Sequence, residues 1–265
     1  MSKGLDLLYG TPGWLIILMF LLLLLAAAEL GFRLGRRAAA STPHEIKSRI
    51  GTVEGALLGV LGLLLGFTMA MAVTRFDARR SLVVDEANAL GTTWLRTRLM
   101  PEPESSEMAG LLRQYVEVRL RYAGAGTDPA KLGSVRRQAA QLQQELWSRA
   151  VAFARKDPRS VPAGLLLQSL NQSIDLEAAR WTAFLNHVPN SVIYVNGGVA
   201  LLAMTLAGYG FGMAGRRHGF SSCVLAISIV VVMMVIIDLD RPRRGFIQVS
   251  QQPLIDLQRQ MGAPR

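Results

Sequence analysis

Four apolar runs constrain this chain more than any other feature of it. No charged residue interrupts Trp14 to Ala28, Gly55 to Thr74, Ser191 to Gly215 or Gly219 to Ile237. At about 1.5 Å of rise per helical residue, each run crosses or nearly crosses a hydrocarbon core roughly 30 Å thick. Burying four such helices inside a soluble protein would need a far larger polar shell than 265 residues supply. A secretory leader is the other reading of the first run, since "AAA" at positions 26 to 28 offers small residues for cleavage. Lys3 is offset by Asp6, however, which leaves little of the positive flank such a leader needs. The economical reading is an all-α, polytopic membrane protein with four transmembrane helices.

Four spans place both termini on one side of the membrane, together with the long segment between the second and third spans. The other side receives "GFRLGRRAAASTPHEIKSRI" and the short turn "GRRHGF". Arginine and lysine flank the spans almost equally on the two sides, so charge bias does not orient the chain. The formal net charge of +10 suits anionic headgroups near both interfaces and does not call for nucleic acid. The lipid bilayer is thus the first expected partner. The expected organisation is a first span and basic loop over residues 1–54, the second span over 55–74, and a helical extramembrane domain over 75–190. Spans three and four follow over 191–237, and a charged segment and tail over 238–265.

The second span carries a stripe of small residues at Gly51, Gly55, Gly59, Gly62, Gly66 and Ala70, three or four positions apart. Such a stripe lets a neighbouring helix approach closely. In an oligomer it can instead face a central conduit, with Leu58, Leu65, Phe67 or Met71 forming an apolar constriction that gates by dewetting. The residues alone leave both readings open.

Beyond Arg75 the character turns charged and amphipathic. Leu82, Val83, Leu90, Trp94 and Leu95 recur at helical spacing, so the second span is expected to continue as a helix until Pro101 and Pro103 break it. Three further helices are expected over 104–124, 130–156 and 163–185, separated by "GAGTDP" and "DPRSVP" and closed by Pro189. Within this layer "VVDEANALGTTW" gathers Asp85, Glu86, Asn88 and Thr92. Paired acids suit a cation or proton transfer, but equally ion pairs with Arg96, Arg113 or Arg119 on neighbouring helices. Arg113, Glu117 and Arg121, at four-residue steps, read as a stabilised helix face.

Chemistry-bearing constellations are thin. His44, His187 and His218 stand apart and lack zinc-ligand spacing, so neither a metal site nor a catalytic residue is expected. Cys223, the single cysteine, sits within the fourth span. "YAGAGTD" lacks the lysine and strand context of a phosphate loop. Glu29 lies near the end of the first span, four residues before Arg33, where it can pair and remain ionised. No cofactor is implied and an enzyme is not expected.

The last span stops at "IIDLDRPRRGF". Asp238 and Asp240 stand where they can pair with Arg241, Arg243, Arg244 or the basic start of the long helix. Pro242 ends the helix because it lacks a donor and disfavours helix at the residue before it. Gly245 allows a turn that returns Phe246, Ile247 and Val249 along the protein surface. Asp238, Asp240, Arg241, Pro242 and Gly245 together read as a structural clasp between the last span and the extramembrane helices.

"LLGFTMAMAVTRFDARRSLVVDEANALGTTWLRTRLMPEP", "LLRQYVEVRL" and "DLDRPRRGFIQVSQQPL" together resemble the bestrophin-like family of bacterial membrane proteins, over about Glu54 to Leu254. The resemblance implies four spans, a helical domain between the second and third, and cytoplasmic termini in the inner membrane. Bestrophins proper are pentameric anion channels whose second spans line the pore. The likeness therefore implies a homo-oligomer, pentameric by that analogy, that conducts inorganic ions, with Leu58, Gly62, Leu65, Phe67 and Met71 as pore or packing residues. The repeated neck aromatics of bestrophins are missing, Phe67 and Phe76 alone standing in that stretch. A membrane-anchored structural or protein-interaction module without conductance is the alternative.

Overall fold

A computed structural model describes residues 13–39, 44–126, 128–215, 217–241 and 245–262. Eight helices form among them: α1 Gly13–Ala38, α2 His44–Thr97, α3 Glu104–Gly124, α4 Pro129–Lys156, α5 Val161–Leu185, α6 Asn190–Met213, α7 Gly219–Asp240 and α8 Gln252–Gly262. Four stretches are long and apolar enough to cross a membrane: Trp14–Ala38, Arg49–Thr97, Val161–Met213 and Gly219–Asp240. The chain is an all-α, multi-pass membrane protein. It divides into two compact units, the boundary falling between Thr74 and Arg75 within α2 and between Asn186 and His187.

The membrane unit contains α1, α2 up to Thr74, α6, α7 and residues 245–247. Its tightest seam joins α1 and α6, which run parallel. A Cβ added at Gly31 would lie 1.9 Å from the Thr205 carbonyl oxygen, and one at Gly35 2.2 Å from that of Tyr209. Reciprocally, Gly208 and Gly212 would meet the carbonyl oxygens of Ala28 and Phe32 at 2.0 and 2.3 Å. Two GxxxG sequences, "GFRLG" and "GYGFG", thus press backbone against backbone, where dispersion and weak Cα–H···O contacts replace side-chain packing. The seam came from glycines that the sequence reading passed over, because charged Arg33 sits within the first of the two.

The extramembrane unit contains α2 from Arg75, α3 to α5 up to Asn186, and residues 248–262. Proline and a capping side chain start two of its helices. Asp128 accepts from the amides of Ala130 at 2.9 Å and Lys131 at 3.5 Å, and Ser160 accepts from Ala163 at 3.4 Å. These caps satisfy amides that a helix start leaves unpaired, and proline at the first positions has no amide to lose. Leu90, Met108, Leu112, Tyr115, Leu146 and Leu166 form the centre of the core. Leu254, Leu257 and Met261 complete it from α8. The sequence reading left 252–262 as tail; its apolar positions recur three or four residues apart after Pro253, which was the available signal.

Candidate functional site

Along its membrane part α2 has two unlike sides. Leu61, Leu65, Thr68 and Ala72 are buried against the rest of the unit. Thr68 and Asn196 are tied by a 2.7 Å hydrogen bond from Asn196 Nδ2 to Thr68 Oγ1, whose own proton goes to the Leu64 carbonyl at 2.8 Å. The opposite side is uncovered: nothing among the described residues lies within 4 Å of a Cβ placed at Gly51, Gly55, Gly59, Gly62 or Gly66. Leu63 and Phe67 share that side at 60% and 64% exposure. The five residues expected along a pore are therefore separated. Gly62 and Phe67 are exposed, Leu58 and Met71 are half-buried, and Leu65 is buried. Helical phase places Leu65 about 160° and Gly62 about 140° around the helix from Phe67 at 100° per residue, so the exposed arc is wide, with Gly62 and Phe67 toward its two edges. Close approach by a helix of the same protomer, one of the two roles expected of the glycine stripe, has no partner among the described residues.

Two carboxylates meet this membrane unit. Glu29 accepts from Arg33 Nε at 2.9 Å, as its spacing suggests, and also from Arg217 Nη2 at 3.1 Å. Glu54, half-buried on α2, places Oε2 3.2 Å from the position of a Cβ at Gly210. Sequence reasoning missed Glu54, although it is the single acid between Ile50 and Asp77.

The polar residues of "VVDEANALGTTW" do not form one site. Asp85, Asn88 and Thr92 are exposed, and Asp85 accepts from Ser81 Oγ at 3.2 Å. Glu86 is fully buried on another face. It accepts from Arg119 Nε at 2.6 Å and pairs with Arg180 through its second oxygen. Arg119 also reaches Glu177 at 3.2 Å and lies 5.1 Å from the Tyr122 ring centroid, while Arg180 donates to Gln251 at 3.0 Å. Four segments are thereby joined inside the extramembrane unit: α2, α3, α5 and the residues before α8. Burial works against the Arg119 charge, but Glu86, Tyr115 and Glu177 hold its pKa above the ordinary value. Burial likewise pushes the Tyr115 phenol above the ordinary range, and its hydroxyl accepts from Gln143 at 2.8 Å. The buried Glu86 charge persists because both of its carboxylate oxygens have guanidinium donors. Arg119 was one of three arginines the sequence offered Glu86, whereas Arg121 of the expected ladder bonds Gln138 at 3.1 Å.

At the end of α7, both aspartates act on backbone. Asp238 Oδ1 accepts from the Phe246 amide at 2.9 Å and Oδ2 from the Ile247 amide at 2.8 Å. Gly245 fits beneath them, since an added Cβ would stand 2.7 Å from Asp238 Oδ1. Asp240, 1% exposed, accepts from the Val188 amide at 3.0 Å and lies 3.4 Å from His187 Nδ1. The carboxylates therefore close a turn and secure the start of α6 through backbone amides. Arg241 is buried beside them, while Pro242, Arg243 and Arg244 lie outside the described residues. His187, read as isolated, gains its partner only through the fold.

None of these arrangements brings three metal-ligating side chains together among the described residues. What the geometry offers is a membrane helix with a long uncovered small-residue face, and a charge-stapled helical unit.

Similarity to known proteins agrees with this architecture. No curated protein matches the chain. Among solved structures, it resembles a Klebsiella pneumoniae bestrophin homologue carrying a single substitution, with a TM-score of 0.67 and 16% identity over 92% of this chain and 97% of that one. A second substituted form of that homologue gives a TM-score of 0.68 and 15% identity over 92% and 95%. At such identity the likeness speaks for the fold alone. The bestrophin-like domain, in contrast, matches residues 21–254, nearly the whole chain. The chain belongs to the bestrophin-like family.

Proposed function

We propose that the chain forms a homo-oligomeric ion channel of the bacterial inner membrane, pentameric and anion-conducting, with α2 around the conduit and the termini and helical domain in the cytoplasm. The observation that carries this reading is the uncovered face of α2. A membrane helix normally fills its contacts with side chains, yet a Cβ at any of five glycines of α2 would have no described neighbour within 4 Å. Copies arranged about an axis give that face something to line, and an apolar ring can close it to water. Phe67 is the ring residue under this reading, flanked by Leu58, Gly62 and Met71. Leu65 supports the helix from behind. Family membership over residues 21–254 supports the same assignment, because bestrophins proper are anion channels.

The test is assembly followed by flux. Mass determination and particle images of the detergent-purified protein are expected to give a five-fold ring with a central opening. Liposomes containing it should release chloride faster than potassium, and Phe67→Ala should raise that flux by widening the constriction. A monomer or dimer without an opening removes the channel and leaves a membrane-anchored interaction module.

A further inference from the structure

Where α1 ends and α6 turns into α7, four arginines face one carboxylate. Glu29, Phe32, Arg33, Arg36, Arg37 and Arg217 line a cavity of about 390 Å³. Glu29 engages Arg33 and Arg217, and the Arg217 guanidinium lies 5.1 Å from the Phe32 ring centroid. Arg36 and Arg37 have no carboxylate partner among the described residues. Glu29, Phe32 and Arg217 also border a second cavity of about 180 Å³, whose walls include Leu25, Ala28, Gly208 and Phe211. Leu25 and Ala28 lie a turn deeper into the apolar span, so the cationic mouth at the helix ends adjoins a crevice that they wall together with Phe211, Ser222 and Cys223.

We propose that this pair of cavities binds one anionic phospholipid, with its phosphate among Arg33, Arg36, Arg37 and Arg217 and an acyl chain along Leu25, Ala28 and Phe211. Charge complementarity selects the occupant. Guanidinium forks pair with phosphate oxygens in charge-assisted hydrogen bonds, and an excess of them disfavours a headgroup that carries its own cation. A free anion would fill the mouth and leave the crevice empty, whereas an acyl chain fills it. Glu29 is then an internal competitor that occupies two guanidiniums in the lipid-free protein.

Delipidated full-length protein, titrated with phosphatidylglycerol or phosphatidylcholine of identical chains and read by native mass spectrometry, tests the proposal. Phosphatidylglycerol should be retained preferentially. The Arg33→Gln, Arg217→Gln double variant should bind it about tenfold more weakly, with phosphatidylcholine adducts unchanged as the check on folding. Glu29→Gln should bind it more tightly, the opposite sign. Arg49→Gln, an exposed arginine outside both cavities, should leave binding unaltered. Equal retention of the two lipids, weaker binding in Glu29→Gln, or an Arg49→Gln loss matching the double variant would each overturn the site. Displacement by glycerol phosphate at concentrations equal to the lipid would overturn it too, by showing a free-anion site.

Discussion

The α1–α6 seam and the outer side of α2 use the same residue at the same spacing and end in opposite situations. On the seam, a methyl group at Gly31, Gly35, Gly208 or Gly212 would overlap a carbonyl oxygen at 1.9 to 2.3 Å. On α2, a methyl group at any of five glycines would meet nothing within 4 Å among the described residues. Glycine at helical spacing therefore encodes the absence of a side chain, while what occupies the vacated space is decided by the fold. The seam is closed by the chain itself, whereas no described residue covers the glycines of α2.

The largest expected effect breaks the closed side. Gly31→Leu combined with Gly208→Leu puts branched side chains where two backbones touch, and neither carbonyl can retreat without separating α1 from α6. Overpacking alone costs about 1–3 kcal/mol per site in ordinary cores. Backbone contact leaves no rotamer to relax, so the double variant should yield no monodisperse protein in fluorescence-detected size exclusion. A normal elution profile would show that the seam is not what holds these helices.

The buried staple of the extramembrane unit repeats the contrast between a closed and an open side within one short sequence. Glu86→Ala leaves Arg119, 1% exposed, without its main counter-charge, and losing one partner of a buried pair costs about 3–5 kcal/mol. Asp85→Ala, one residue away but exposed, should fall within about 0.5 kcal/mol of the parent. Paired thermal unfolding of the two variants measures the difference. Equal midpoints would mean that Glu86 is not the hub described.

Much of this fold was legible, and the reasons are local. Charge-free runs, proline breaks and Asp128 or Ser160 before a proline act within a few residues, so the spans and the helices over 104–124, 130–156 and 163–185 could be read directly. What escaped depends on long-range pairing. Nothing near Glu86 in sequence selects Arg119 over Arg96 or Arg113, and nothing near Asp240 announces the Val188 amide 52 positions earlier. The glycines illustrate the same limit. Spacing marks both stripes, but the α1–α6 register requires the two helices to be brought together, and Leu65 and Phe67 look alike until one side of α2 is known to be covered.

A smaller loss is expected at the end of α7. Asp238→Asn can accept through one oxygen only, and its amide then faces the Phe246 or Ile247 N–H as donor against donor. Both bonds are exposed, so water can replace a lost acceptor and the cost is that of an ordinary hydrogen bond, about 0.5–1.5 kcal/mol. Hydrogen exchange should show faster exchange at both amides with the Val188 amide, held by Asp240, unchanged. Exchange rates equal to the parent's would remove the turn-closing role of Asp238.

The smallest change in stability should come from the open stripe, and it is the most discriminating. Gly62→Ala adds a methyl group where no described neighbour lies within 4 Å, and alanine in a helix is favoured over glycine by roughly 0.5–1 kcal/mol. The thermal midpoint should therefore rise slightly, the reverse of any substitution at Gly208. Three measurements on the one variant then divide the readings of this face. If the assembly keeps its mass and its ion flux changes, the stripe borders the conduit. If the mass falls, the stripe is a seam like α1–α6, closed between copies instead of within one. If neither moves, the face meets lipid and the channel loses the observation that carries it.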